Sequence, residues 1–126
     1  MASALLDTSA LIALESDPDA DLAISVASLT ELYFGVQVAG DDDVRATRLR
    51  RLGIVEQHFD ALPFDAEVAR ECGRLRAAVA QRGGQPRRRA FDLAIAATAS
   101  VRGIPLITRN GKDLKIIDDL VDLRVP

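Results

Sequence analysis

Short apolar runs alternate with longer segments of helical periodicity along most of the 126-residue chain. The apolar run at residues 4–6 stops at Asp7, where a cap-forming Asp-Thr-Ser group precedes apolar residues at helical spacing, so this stretch predicts a strand followed by a helix. Residues 22–26 predict a second buried strand. From Ser28 the apolar residues follow a 3.6-residue period and predict a helix that ends near Gly40.

The remainder of the chain continues this alternation. Residues 43–58 predict an arginine-rich helix, residues 61–63 a short strand, and residues 68–79 an amphipathic helix before a Gly-Gly pair. Residues 104–108 and a last apolar alternation at residues 123–125 complete the set of strands. Strands that alternate with helices predict an α/β fold with a mainly parallel sheet covered on both faces.

Residues 90–101 predict the most apolar helix of the chain. Every residue in this range is apolar or carries a small hydroxyl group, except Asp92. A carboxylate is rarely placed in the first turn of a nearly all-buried helix, because burying its charge costs free energy. Asp92 is therefore a candidate functional residue.

Four carboxylates follow strands or begin helices in the predicted fold: Asp7, Glu31, Asp92 and Asp113. Ligands of open parallel sheets gather beyond the carboxyl ends of the strands, so these side chains are expected to converge there. Four ionised carboxylates in one pocket repel each other unless cations neutralise them. Ligation by oxygen alone favours Mg²⁺ or Mn²⁺, and such ions support hydrolysis of a phosphodiester.

Each of these acids also has a purely structural interpretation. Asp7 is a possible N-cap of the following helix, and Glu31 a possible partner of Ser28 in a capping box. Asp92 suits the positive end of its helix, and Asp113 suits the turn after an Asn-Gly pair. These interpretations explain single residues but not the gathering of four acids in one pocket.

Length and composition narrow the function classes. A chain of this length is expected to be one domain, residues 1–126. It has no apolar stretch of the roughly 20 residues that span a bilayer and no secretory leader, so the expected location is the cytoplasm. Cys72 and His58 are the only residues of their types, which excludes an internal disulfide framework, a zinc site of paired cysteines and catalysis by two histidines.

The net charge of −3 is unusual for a protein that contacts nucleic acid, but the arginines are clustered. Fourteen of the sixteen basic residues are arginine, and two groups stand out: Arg45, Arg48, Arg50 and Arg51, then Arg82, Arg87, Arg88 and Arg89. Either group suits a solvated surface equally well. Arg87, Arg88 and Arg89 directly precede the Asp92 helix, and they are candidates to hold phosphates that flank the acidic pocket.

Four sequence blocks resemble the signature blocks of PIN-domain ribonucleases, and more narrowly those of VapC toxins of bacterial VapBC toxin–antitoxin modules. In chain order they are Asp7-Thr8-Ser9-Ala10-Leu11-Ile12, Leu29-Thr30-Glu31-Leu32, Phe91-Asp92-Leu93-Ala94-Ile95-Ala96-Ala97, and Leu106-Ile107-Thr108-Arg109-Asn110 followed by Asp113-Leu114. Each block alone is weak, whereas four in order over one domain are specific.

The resemblance implies a three-layer α/β/α domain with about five parallel strands and RNA cleavage that depends on Mg²⁺ or Mn²⁺. Carried over by position, Asp7 and Asp92 would be the principal metal ligands, with Glu31 and Asp113 as the third and fourth acids. Thr8 would orient Asp7, and Asn110 would brace the loop that holds Asp113.

The resemblance also implies protein partners. Relatives of this type are held inactive by a VapB antitoxin that lies along the toxin, and they form homodimers or larger assemblies. The sequence offers only apolar residues of the first two helices as candidates for such a surface, and these residues suit core burial as well. They are Leu11, Leu14, Tyr33, Phe34 and Val36.

Two other functions remain open at the level of sequence. A phosphorylation-switched receiver domain has a similar length and an acidic Mg²⁺ pocket on a parallel sheet. It needs an acidic pair near the first strand and a phospho-accepting aspartate after a central strand, whereas Asp7 has no acidic neighbour and Pro63-Phe64 follow the mid-chain strand. A catalytically silent PIN-like binding module is the second alternative, although it would not need all four acids.

Overall fold

The computed structural model describes residues 2–13 and 21–125. Its strands are β1 (Ala4–Leu6), β2 (Leu22–Ser25), β3 (Asp60–Leu62), β4 (Leu106–Ile107) and β5 (Leu123–Arg124). Its α-helices are α1 (Thr8–Ala13), α2 (Val26–Gln37), α3 (Asp42–His58), α4 (Ala66–Gln81), α5 (Ala90–Arg102) and α6 (Gly111–Leu114). Two 3₁₀ helices, Pro86–Arg89 and Lys115–Ile117, adjoin α5 and α6.

The five strands form one parallel sheet in the order β3-β2-β1-β4-β5. Along the chain, the sheet grows from β1 to β2 and β3 on one side, and later from β4 to β5 on the other. Strand order therefore reverses at β1, and a crevice opens at the carboxyl ends of β1 and β4, where open α/β sheets bind ligands. The predicted α/β class and parallel sheet are confirmed.

Each face of the sheet carries its own hydrophobic cluster. Leu5 of β1 packs with buried residues of α4 and α5, such as Leu75 and Leu93, on one face. Its neighbour Leu6 packs with Leu11 of α1 and with residues of β2 and α3 on the other. Consecutive strand residues point to opposite faces, so two adjacent leucines anchor two layers of helices. The three-layer arrangement predicted from the sequence is confirmed.

The start of α2 differs from the sequence prediction. The helix begins at Val26 rather than Ser28, because the Ser25 side chain accepts a hydrogen bond from the Ala27 backbone N–H at 3.0 Å and caps the helix three residues earlier. The preceding strand accordingly ends at Ser25. As a result, Glu31 lies in the second turn of α2 and not in the first.

The other boundaries match the prediction, as at both ends of β1, or differ from it by one to three residues. Asp41 and Asp65 cap α3 and α4 by accepting backbone N–H bonds, and Gly103 ends α5 in the left-handed conformation with φ of 66°. β3 starts one residue earlier than predicted, and β4 is limited to Leu106–Ile107. Within the described ranges, every helix is too short or too polar to cross a membrane.

Candidate active site

The predicted acids lie on four different elements around the crevice at β1 and β4. Asp7 directly follows β1 and is buried, and Asp113 lies in α6, which follows β4. Glu31 lies on α2, which follows β2, and Asp92 is the third residue of α5. Residues far apart in sequence are thus gathered at one edge of the sheet.

Mutual repulsion shows that these acids share one electrostatic environment. Burial raises the pKa of Glu31, the hydrogen bond from Thr8 opposes this rise, and the charges of Asp92 and Asp7 add to it. Burial also raises the pKa of Asp92, and the charges of Asp7 and Asp113 raise it further, whereas Arg89 lowers it. Asp92 is thus coupled to Asp7, Glu31 and Asp113, and Glu31 is also coupled to Asp7.

Asp7 is held by the turn that it begins. Its Oδ1 accepts hydrogen bonds from the Ser9 hydroxyl at 2.6 Å and from the Ala10 backbone N–H at 2.9 Å. The second of these bonds is an N-cap interaction for α1. The structural interpretation of Asp7 is thus correct, and it leaves the other carboxylate oxygen for another role.

The side chain of Thr8 contacts Glu31 and not Asp7, which it was expected to orient. Its hydroxyl donates a hydrogen bond to Glu31 Oε1 at 2.9 Å and lies 3.0 Å from the Ser28 hydroxyl. Ser28 lies inside α2, so the capping-box interpretation of Ser28 and Glu31 is wrong. Thr8 therefore positions Glu31, and Ser9 is the residue that holds Asp7.

Ser9 is a site residue that the sequence reasoning missed. Besides its bond to Asp7, its hydroxyl accepts a hydrogen bond from the Arg109 backbone N–H at 3.1 Å. It thereby joins the first turn of α1 to the segment after β4. Only its position beside Asp7 and Thr8 could have indicated this role.

The loop after β4 holds Asp113 through main-chain contacts and one ion pair. Asn110 donates its backbone N–H to Thr108 Oγ1 at 2.9 Å, and its carbonyl accepts from the Asp113 N–H at 3.0 Å. Arg89 Nη2 lies 3.0 Å from Asp113 Oδ1. Asn110 thus braces this loop through its backbone groups, and the residue is exposed to solvent.

The acid cluster is suited to a divalent cation in its chemistry but is not arranged as a complete ligand set. Within residues 2–13 and 21–125, no three histidine, cysteine, aspartate or glutamate side chains stand close enough to hold one ion. The Asp113 carboxylate is already in an ion pair with Arg89, and the Glu31 carboxylate already accepts a hydrogen bond from Thr8. Carboxylate oxygens are the ligands that Mg²⁺ and Mn²⁺ prefer, and these side chains would have to move to complete a ligand set.

The two arginine groups behave differently. Arg45 pairs with Asp42 within α3 and donates to the Ala39 carbonyl at 3.3 Å. Arg48 donates to the Gly35 carbonyl of α2 at 2.7 Å, so both arginines tie α3 to α2 or to the turn after it. In the other group, Arg87 and Arg88 are exposed, whereas Arg89 pairs with Asp113. The arginines expected to hold phosphates therefore lie on a 3₁₀ helix, Pro86–Arg89, that borders the acid cluster.

The apolar candidates of the first two helices divide in the same way. Leu11 and Val36 are core residues. Tyr33 and Phe34 are exposed by 47% and 65%, and Leu14 lies outside the described residues. Two of the five candidates are therefore available to a partner.

Residues 4–120 match the PIN domain family. The chain is 37% identical to Ribonuclease VapC5 of Mycobacterium tuberculosis, over 98% of this chain and 94% of that protein. It is 32% identical to Ribonuclease VapC of Rickettsia bellii, over 97% and 96% of the two chains. Among solved structures, it resembles a chain of VapBC-5 from Mycobacterium tuberculosis, with a TM-score of 0.82, 37% identity, and coverage of 98% and 97%. It also resembles a chain of VapBC2 from Rickettsia felis, bound to promoter DNA, with a TM-score of 0.78, 26% identity and 98% coverage of both chains.

Proposed function

The chain belongs to the PIN-domain family, and we propose that it is a divalent-metal-dependent endoribonuclease, the VapC-type toxin of a toxin–antitoxin module. The gathering of four carboxylates at the carboxyl ends of β1 and β4 is the observation that carries this proposal. The matched range, residues 4–120, supports treating residues 1–126 as one PIN domain. The receiver alternative is overturned by this family membership.

Asp7 and Asp92 are the proposed principal ligands of Mg²⁺ or Mn²⁺, with Glu31 and Asp113 completing the acidic site. A bound divalent cation would supply activation of water and stabilisation of the leaving oxygen of a phosphodiester. The protein's own groups position these ligands: Ser9 holds Asp7, and Thr8 holds Glu31. Because Asp92 lies on a helix with a buried apolar face, its backbone is fixed by packing.

The proposed substrate is RNA, and its cleavage would inhibit translation and growth. The basic segment with Arg87, Arg88 and Arg89 lies directly before the helix of Asp92 and supports this substrate class. Cationic side chains at the border of an acidic metal site would hold the phosphates that flank the scissile bond.

The proposed partner is a VapB-type antitoxin. The solved relatives named above come from VapBC complexes, which supports such a partner. Tyr33 and Phe34 are adjacent aromatic residues of α2 that are exposed and not part of the core. They suit contact with an apolar partner surface. A homodimer or a larger toxin–antitoxin assembly is part of the same proposal.

Incubation of the purified protein with total RNA tests the proposed activity. With Mn²⁺ or Mg²⁺ we expect discrete fragments, which disappear with EDTA and in the variants Asp7→Asn and Asp92→Asn. Asp118→Asn is a matched control, because Asp118 is an exposed aspartate outside the acid cluster. RNA that stays intact with both metals would support the silent binding module and reject the nuclease.

A further inference from the structure

A cavity of about 300 Å³ adjoins the acid cluster. Its lining comes from the C-terminal end of α4, the loop after it, the 3₁₀ helix Pro86–Arg89, α5 and α6. Asp113 and Arg89 belong to this lining, so the ion pair between them forms the border between the cavity and the acids. A ligand in the cavity would therefore lie beside the proposed cleavage site.

The charged lining of this cavity is mainly basic. Arg88, Arg89 and Lys112 contribute three cationic residues, against the single carboxylate of Asp113. Arg89 is already paired with Asp113. Arg88 and Lys112, by contrast, are exposed and form no ion pair with any residue in the described parts of the chain. Two cationic side chains are thus available for an anionic ligand.

The rest of the lining is apolar and held in place by its surroundings. Val79, Leu93 and Leu114 are buried core residues. The guanidinium of Arg82 donates to the Ile116 carbonyl at 2.7 Å and pairs with Asp119 at 2.6 Å. These bonds tie the end of α4 to the segment after α6. The cavity is therefore built into the fold and needs little rearrangement.

A second cavity is larger but has a lining that does not suit an anionic ligand. It measures about 540 Å³ and is lined by Asp60, Asp65 and Glu67, with Arg102 as the cationic residue of its lining. This excess of carboxylates repels a polyanion. None of the four acids of the candidate active site lines it. Of these two cavities, which both lie within the described residues, the smaller combines cations, apolar walls and contact with the acid cluster.

We propose that the smaller cavity is a subsite for one nucleotide of the RNA, next to the scissile phosphate. Arg88 and Lys112 would hold its phosphate, and the apolar wall would contact its base or ribose. A volume of about 300 Å³ is at the lower end of the range for small-ligand pockets, which suits a single nucleotide unit. This inference rests on the proposed ribonuclease function and specifies where its substrate binds.

Binding of RNA without cleavage tests the subsite. A short fluorescein-labelled single-stranded RNA is titrated with the full chain in EDTA, and anisotropy gives the Kd at several salt concentrations. The double variant Arg88→Ala/Lys112→Ala is compared with Arg51→Ala/Arg70→Ala. The control removes the same charge from exposed positions of α3 and α4 that do not line the cavity.

We expect the cavity variant to bind RNA about tenfold more weakly, whereas the control changes little. The slope of log K against log salt should become shallower by about 0.7–1.4, which corresponds to the loss of one or two phosphate contacts on a single strand. Equal weakening of the two variants would overturn the subsite, because it would show only a dependence on net charge. In competition, uridine 5′-monophosphate should displace the RNA better than inorganic phosphate. Equal competition would overturn the role of the apolar wall.

The outcomes separate this subsite from the proposed function. Cleavage of RNA by the wild-type protein, with equal RNA affinity of the two double variants, would reject the subsite and keep the nuclease. Selective weakening in the cavity variant, with no cleavage under any metal, would keep the RNA site and reject the nuclease. Circular dichroism of both variants confirms that they are folded.

Discussion

Arg89 supplies a cation to the acid cluster from within the chain, since its Nη2 lies 3.0 Å from Asp113 Oδ1. Its charge also lowers the pKa of Asp92, which burial and Asp7 raise. Arg89 therefore neutralises part of the repulsion that would otherwise destabilise the cluster. A divalent cation would have to share these carboxylates with the guanidinium.

Replacing Arg89 with alanine should strengthen Mn²⁺ binding, because a competing positive charge is removed. Arg89 and Asp113 are each 38% exposed, so solvent screens the effect, and we expect a change of several-fold to about tenfold in Kd. Isothermal titration calorimetry at low salt measures it. Arg87→Ala is the matched control, since Arg87 is exposed on the same 3₁₀ helix. Weaker binding in Arg89→Ala than in the control would contradict this competition.

Replacing Asp92 with asparagine should stabilise the metal-free protein at neutral pH. The pKa of Asp92 is raised in the folded state, so its ionisation costs the folded state free energy. This cost is absent below the ordinary aspartate pKa and complete above the raised pKa. Asp92→Asn should therefore increase Tm by a few degrees at pH 7 in EDTA and by much less at pH 3.

Differential scanning calorimetry checks this pH dependence. Asp118→Asn serves as the control, because Asp118 is exposed and lies outside the acid cluster. A lower Tm for Asp92→Asn than for the wild type at pH 7 would show that the carboxylate is net stabilising without metal.

The hydrogen bond from Thr8 predicts the direction of a further pKa change. It lowers the pKa of Glu31, against the larger effect of burial. Thr8→Val removes the donor with little change in shape, so the pKa of Glu31 should rise further. Thr8→Ser keeps the hydroxyl and should preserve the wild-type value. Titration of the Glu31 carboxyl carbon by NMR measures all three proteins, and equal midpoints for valine and serine would show that the bond is not formed in solution.

The gathering of the acids was predictable, whereas their individual partners were not. Asp7 and Asp113 follow adjacent strands, and parallel strands place the residues after them at one edge of the sheet, so chain order was sufficient. The contacts of Thr8 with Glu31 and of Arg89 with Asp113 join residues 23 and 24 positions apart. Such contacts depend on side-chain direction after packing, which hydrophobic periodicity does not encode.

Helix capping explains why the start of α2 could not be placed. Ser25 and Ser28 are both suitable caps, and the apolar residues after either one fit a helical period. Strand pairing decides between them, because Leu6 pairs with Ile24 and Ser25, which pairs with Leu62 of β3, is the last residue of β2. Long-range pairing thus overrides a local signal, and Glu31 still lies within α2 despite the shift.

Replacing Gly84 with alanine should lower the free energy of unfolding, whereas replacing Gly73 should raise it. The comparison tests whether the wall of the smaller cavity, which includes Gly84, is rigid. A Cβ at Gly84 would lie 2.7 Å from Val79 Cγ1 and 3.2 Å from the Val79 carbonyl oxygen. The backbone oxygen cannot rotate away, so Gly84→Ala should destabilise the fold by about 1–3 kcal/mol. Gly73 lies at an exposed position inside α4, and no atom lies within 4 Å of an added Cβ. Gly73→Ala should therefore stabilise the fold by about 0.5–1 kcal/mol. Urea denaturation measures both, and a Gly84→Ala protein as stable as the wild type would show that the loop at the cavity moves freely.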